Sequence, residues 1–194
     1  MVNISKRERR EIIKYILNTL LKLGAIYIAC QSPYFVNKII NEFFRNPKWP
    51  IDKLKKYFRE LKYQKYVLIE KENGRIKIEL TPKGRKRMQN FNFWDLKIKK
   101  GRWDKKWRII IFDIPKKLNK IREILRLKLR DLKFYKFQKS VWLTPYQCEK
   151  EIAFIREFLG IKKYLKVIIA QDVELDNEIL KFFHLKPRSR KINV

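Results

Sequence analysis

The sequence predicts an α+β protein in two parts, an N-terminal winged helix-turn-helix followed by a ferredoxin-like β-α-β-β-α-β domain. Two observations predict it. In the first half, three segments with apolar residues at helical spacing precede KYVLIEKENGRIKIEL, a pair of strand-like runs joined by Asn73-Gly74. In the second, strand and amphipathic-helix patterns alternate from Trp107 onwards. The expected boundaries are 1–92 for the winged helix, 93–106 for a basic linker, 107–184 for the ferredoxin-like domain and 185–194 for a basic tail.

Ser5 and Glu8 form an S-x-x-E capping box before Ile12, Ile13, Ile16, Leu17, Leu20 and Leu21, one face of a first helix that Gly24 interrupts. Ser32-Pro33 opens a second helix with Phe35, Val36, Ile39, Ile40, Phe43 and Phe44 inward, and NPKWP stops it. A third runs from Ile51 to about Tyr63. At 100° per residue, Ile51, Leu54, Phe58 and Leu61 share its inner face, and Asp52, Lys53, Lys56, Arg59, Glu60 and Tyr63 lie opposite. Asn73-Gly74 then supplies the positive φ angles of a two-residue turn. Pairing residues whose numbers sum to 147 sets Glu72 against Arg75 and Glu70 against Lys77, and gathers Val67, Ile69, Ile76, Ile78 and Leu80 on one face. A further helix enters at Thr81-Pro82. In such an architecture the third helix enters the major groove and the ribbon tip touches phosphate. Lys53, Lys56, Arg59 and Tyr63 are the expected groove residues, and Arg75, Lys83 and Arg85 the expected phosphate contacts.

In the second half, WRIIIFDI (107–114) reads as a strand buried on both faces. A helix follows on Leu118, Ile121, Leu125, Leu129 and Leu132, with Lys116, Lys120, Arg126, Arg130 and Lys133 outward. FYKFQKSVWLTP (134–145) is long enough for two short strands or one bent one. Residues 149–159 form a helix on Ile152, Ile155, Phe158 and Leu159, closed by Gly160, and YLKVIIA (164–170) is a last buried strand before a short helix near 175–183.

Charge narrows the function. Lysine and arginine number 49 against 20 acidic residues, a net +29, which favours a polyanionic partner. Residues 1–100 hold 25 basic and 9 acidic side chains and residues 101–194 hold 24 and 11, so both halves are expected to face it. Nucleic acid is favoured over a membrane surface, because no basic amphipathic anchor stands apart from neutral domains; a lysine-rich genomic composition is the plain alternative. No run reaches the roughly 18 apolar residues of a membrane span, and no signal peptide is evident, so the expectation is a cytoplasmic protein with no membrane partner. Cys30 and Cys148 match no metal spacing and read as reduced thiols, and His184 reads as structural or exposed.

WDKKWRIIIFDIPKK, followed by LRDLKFYKFQKSVWLTPYQCEKEIAFIREFLG, resembles the central domain of the PaaX family of transcriptional regulators, itself similar to CRISPR-associated protein two. The shared elements are Phe112–Ile114 (FDI), Gln138–Trp142 (Q-x-S-V-W) and Pro145–Ile152 (P-Y-x-C-E-x-E-I). A winged helix ahead of that domain is also the PaaX arrangement. The resemblance implies double-stranded DNA binding by a homodimer joined through the ferredoxin-like domains, with no cofactor required. The family's further C-terminal domain, and the effector sensing it performs, are not expected here. The alternative that the resemblance implies is a CRISPR adaptation subunit with an integrase partner, or a Mg²⁺-dependent endonuclease. In that reading Asp113, the acid at the end of the first strand, is the catalytic and metal-binding residue. From the residues alone Asp113 caps the turn into the helix beginning near Lys116 and has few companion acids; the resemblance adds a vestigial or dimer-interface role and a metal site as alternatives.

Overall fold

The computed structural model describes residues 5–29, 35–44, 46–171, 173 and 177–185. It is a mixed α/β chain that divides into two compact units, Met1–Asn92 and Phe93–Val194. Among the described residues no helix is long and apolar enough to cross a membrane.

The first unit contains α1 (Lys6–Leu23), β1 (Ile26–Ala29), α2 (Phe35–Phe43), α3 (Ile51–Tyr63), β2 (Val67–Glu72), β3 (Arg75–Leu80) and most of α4 (Pro82–Asp95). Ser5 caps α1 by accepting from the Glu8 amide at 3.1 Å, and Gly24 ends it at a φ of 71°. Ile12, Ile16, Leu17 and Leu20 of α1 meet Ile39 and Ile40 from α2, Phe44 just after it, and Leu54, Phe58 and Leu61 from α3 in one core. Each fully buried aliphatic side chain of this kind contributes roughly 1.5–3 kcal/mol. The hairpin has the expected register, Val67 against Leu80, Glu70 against Lys77 and Glu72 against Arg75, with Asn73 and Gly74 both at positive φ.

Three readings of this unit need correction or fall outside it. A third strand, β1, completes the sheet in the order β1-β3-β2, with Ile26 and Ile28 buried against β3 and Tyr27 exposed. Its alternation is a strand signal hidden in a short apolar run. Ile51 is exposed, and Tyr57 takes the inward place expected of it. The stripe Leu54, Tyr57, Phe58, Leu61 is centred about 70° away from Ile51 on the helix. Cys30, Ser32, Pro33 and the side chains of Phe35 and Val36 lie outside the described residues.

The second unit holds β4 (Trp107–Phe112), a 3-10 turn (Lys116–Leu118), α5 (Asn119–Asp131), β5 (Tyr135–Lys136), β6 (Val141–Thr144), α6 (Glu149–Phe158), β7 (Leu165–Ala170) and α7 (Asn177–Phe182). Its strands run in the order β5-β6-β4-β7, every neighbouring pair antiparallel. One sheet face, with Ile110, Phe112, Trp142 and Leu165, packs on Leu125 and Leu129 of α5 and Ile152 and Ile155 of α6. The other carries Trp107 and Leu143, covered by Ile179 and Phe183 at the chain's last described helix. β4 is therefore not buried throughout, since Ile111 on this second face is 37% exposed.

Residues 93–98 of the stretch expected as a linker pack into the second unit. Phe93 is fully buried in the second unit's core and stacks on Phe158 at 4.5 Å, and Leu96 and Ile98 pack against the same cluster. The fully buried Lys128 of α5, expected by no periodicity, explains how the segment is held. Its Nζ donates to the Trp94 and Leu96 carbonyls (3.1 and 3.0 Å) and to Asp131 (2.8 Å), capping the end of α4. Of the tail, residues 186–194 lie outside the described residues.

The turn into α4 depends on a missing side chain. Thr81 Oγ1 donates to the Lys65 carbonyl at 2.8 Å and accepts from the Gly84 amide at 3.0 Å, and a Cβ on Gly84 would meet the Tyr66 carbonyl oxygen at 2.2 Å. Backbone cannot withdraw as a flexible side chain can. Gly84→Ala is expected to lower stability by about 1–3 kcal/mol in urea denaturation, while Gly101→Ala, where nothing lies within 4 Å, leaves the midpoint unchanged.

Candidate functional site

The outer face of α3 presents Lys56, Arg59 and Tyr63, all exposed, with Tyr63 at 88%. By helical spacing Asp52 and Glu60 are the acids of α3 on that side, Glu60 at its edge. Lys53 lies at its edge and is half-buried, its Nζ 2.5 Å from Glu8 Oε1 on α1. Arg9 of α1 pairs in the opposite sense with Glu60 of α3, and that bond holds the Arg9 guanidinium more firmly protonated. Two ion pairs of reversed polarity thus tie α1 to α3. Lys53 and Glu60 serve this contact, whereas Lys56 and Arg59 do not.

Lys83 and Arg85, in the first turn of α4, are exposed. Lys83 Nζ donates to the Gln64 carbonyl just past α3 at 2.9 Å and stands 4.7 Å from the centre of the Tyr66 ring. Both partners are uncharged, so its positive charge is oriented but not cancelled. It also joins the start of α4 to the end of α3. Lys86 and Arg87 extend this surface, and no acid lies in the helix's first turn. Cations at a helix N-terminus oppose the macrodipole, by roughly 0.3–1 kcal/mol each, so local helix stability does not account for them. Lys86 and Arg87 are not among the expected phosphate contacts, although the run Gly84-Arg85-Lys86-Arg87 marks them.

The ribbon differs. Residues 67–80 contain Glu70, Glu72 and Glu79 against Lys71, Arg75 and Lys77, and the charges cancel. Arg75 faces Glu72 across the hairpin, and Lys77 pairs with Glu79 at 3.2 Å. Arg75 is exposed but has an acid opposite it. Of the seven expected DNA contacts, the structure brings Lys56, Arg59, Tyr63, Lys83 and Arg85 onto the α3 and α4 surfaces and gives Lys53 and Arg75 acidic neighbours.

In the second unit Asp113 is exposed. Its amide donates to the Tyr164 carbonyl at 2.9 Å, extending the β4–β7 ladder by one residue. Its carboxylate has no hydrogen-bond or ion-pair partner among the described residues. The expectation that it caps the following turn fails, because Pro115 is the cap residue there and no side chain bonds to the turn. For a metal it stands alone: among the described residues no group of three or more His, Cys, Asp or Glu is placed to hold one. One carboxylate does not fit the donor set Mg²⁺ takes in a hydrolytic site.

The charge network nearest to β4 is structural. Arg108, nearly fully buried, donates to both Asp104 carboxylate oxygens (2.6 and 2.7 Å), to Glu149 at 3.0 Å and to the Lys106 carbonyl. It ties residues 104–106 to the start of α6. Hydrogen bonds from Arg108 hold the Asp104 carboxyl far below the usual carboxylate range, against the opposing effect of burial. Burial pushes Glu149 upward, but bonds from backbone amides and from Arg108 outweigh it and leave it lowered. Cys148, buried beside them, is pushed up to about 12 by burial and is an inert thiol. His184 is exposed.

Residues 100–180 match the family model of the PaaX protein central Cas2-like domain. The match begins just before the Arg108 network, spans the four-stranded sheet and ends in α7. No curated protein matches the chain.

Because the Asp104 carboxyl is lowered on folding, its stabilising effect is fully present above the unfolded value of about 3.9 and is lost as pH falls toward the folded one. Asp104→Asn is therefore expected to lower the urea midpoint at neutral pH, with the gap from wild type closing below about pH 4. A gap independent of pH would contradict the ion-pair account.

Proposed function

We propose that this chain binds double-stranded DNA as a homodimer and is a transcriptional regulator of the PaaX type. One observation carries the reading: the exposed cations of α3 and of the start of α4 form adjoining surfaces almost free of acid, while the ribbon beside them is neutral. The element order α1-β1-α2-α3-β2-β3-α4, with sheet order β1-β3-β2, supports reading the first unit as a winged helix. In that reading α3 is the recognition helix. The β-α-β-β-α-β order with sheet order β5-β6-β4-β7 supports a ferredoxin-like second domain, and the PaaX central-domain match supports the regulator class.

Within this reading Lys56, Arg59 and Tyr63 address the groove, and Lys83, Arg85, Lys86 and Arg87 follow the phosphates. Arginine at position 59 suits a guanine edge, which takes a bidentate donor, and Tyr63 adds an aromatic face with a hydroxyl. Lys53, held by Glu8, sets the angle of α3 rather than touching bases. Binding should be dominated by counterion release, so log K falls linearly with log salt.

Fluorescence anisotropy with duplex DNA over a range of salt tests this. Removing Lys86 or Arg87 is expected to weaken binding on every sequence and to reduce the salt slope by about one per lost phosphate contact. Arg59→Ala should instead cost about 1–3 kcal/mol on a preferred site and relax preference at one position. Lys71→Ala, on the neutral ribbon, should change neither. Salt-insensitive binding would overturn the reading. Mg²⁺-dependent cleavage of duplex abolished by Asp113→Ala would put metal-assisted hydrolysis in its place.

A further inference from the structure

Phe91, one turn beyond Arg87 on α4, belongs to the first unit's core and is only 6% exposed. Two guanidinium groups share its ring. The Arg87 Cζ stands 5.0 Å and the Cζ of Arg10, on α1, 5.2 Å from the ring centre. Both arginines are exposed residues. An aromatic face attracts a guanidinium without cancelling its charge or filling its fork of N–H donors. Arg87 has no carboxylate partner among the described residues, and Asp95, the one acid of α4, is the helix's last residue. By helical spacing Lys83, Lys86 and Arg87 share one side of α4, with Phe91 at the edge nearest Arg87. Arg10 adds a cation from a different element, so the basic surface passes from α4 onto α1.

We propose that Arg10 and Arg87 together bind the phosphodiester backbone of duplex DNA, and that Phe91, which touches no DNA, is the positioning residue that holds both guanidiniums for it. The proposal rests on the DNA reading above and extends its phosphate track to α1, which supplies no contact in that reading. A planar guanidinium offers two parallel N–H donors to a pair of phosphate oxygens. Order before binding matters here. A loose arginine loses rotamer freedom when it meets a phosphate, whereas one already laid on a ring has less to lose. Two like charges gathered on one ring also repel each other in the free protein. A phosphate beside them relieves that repulsion, which an apolar or cationic partner would not.

Fluorescence anisotropy of the full chain on duplex DNA at several salt concentrations tests the pair. Arg10→Gln is expected to weaken binding on every sequence and to lower the salt slope by about one, whereas Lys71→Gln, which removes the same charge on the neutral ribbon, changes neither. Phe91→Leu removes no charge, yet it should weaken binding about fivefold or more, while Phe91→Tyr, which keeps the ring, should stay within about twofold of the wild type. The loss from Arg10→Gln should shrink in the Phe91→Leu background, because ring and guanidinium act as a unit. Thermal melts followed by circular dichroism set a binding temperature at which every variant is folded. Arg10→Gln and Arg10→Lys leave the core untouched and test the site even where Phe91→Leu does not fold; the lysine keeps the charge but not the planar fork and should bind between Arg10→Gln and wild type. Wild-type affinity and slope in Arg10→Gln, wild-type binding by folded Phe91→Leu, strictly additive losses, or equal losses in Phe91→Leu and Phe91→Tyr would each overturn the proposal. Weakened binding in Lys86→Gln with Arg10→Gln unaffected overturns this pair and leaves the DNA reading standing, whereas a wild type that binds no duplex at any salt overturns both.

Discussion

Forty-nine cations held beside only twenty carboxylates constrain everything else in this chain. A compact fold with that imbalance repels itself, so each acid matters for where it stands. Glu8 and Glu60 are used between α1 and α3, where they pair with Lys53 and Arg9. Asp104 and Glu149 surround the buried Arg108, and Asp131 meets the buried Lys128. On the ribbon Glu70 stands opposite Lys77 and Glu72 opposite Arg75, and Glu79 pairs with Lys77. These carboxylates stand at packing junctions and on the ribbon, whereas Lys56 and Arg59 of α3 and Lys83, Arg85, Lys86 and Arg87 of α4 are exposed outside them.

The same constraint shaped what could be read in advance. The α3 boundaries and the hairpin register were legible because each rests on local chemistry: helical spacing from Ile51 to Tyr63, and a turn dipeptide that fixes cross-strand partners. β1 was harder because four residues give too little alternation to separate strand from any other apolar run. Lys128 was illegible, since nothing local marks a lysine whose partners are carbonyls more than thirty residues away. Its capture of the Trp94 and Leu96 carbonyls holds the start of 93–106, a stretch basic enough to look like a linker, against a core. In the site, the cations were easy to list but their partners were not. Lys53 and Lys56 look equivalent in sequence, and only the α1 contact distinguishes them.

Asp113 illustrates the difference between a motif and an environment. Its place after a run of large apolar residues suggests a cap or a metal ligand, yet the turn is capped without it and no companion acids gather round it among the described residues. Alternation along β4 instead puts it at the rim of an uncovered apolar face, diagonal to Lys166.

Lysine-reactivity footprinting of the full chain, with and without saturating duplex DNA and read by mass spectrometry, tests the central claim most directly. The account predicts that duplex protects Lys56, Lys83 and Lys86 and leaves Lys71 on the neutral ribbon as reactive as in the free protein. Protection of Lys71 with Lys56 and Lys86 unchanged would contradict it.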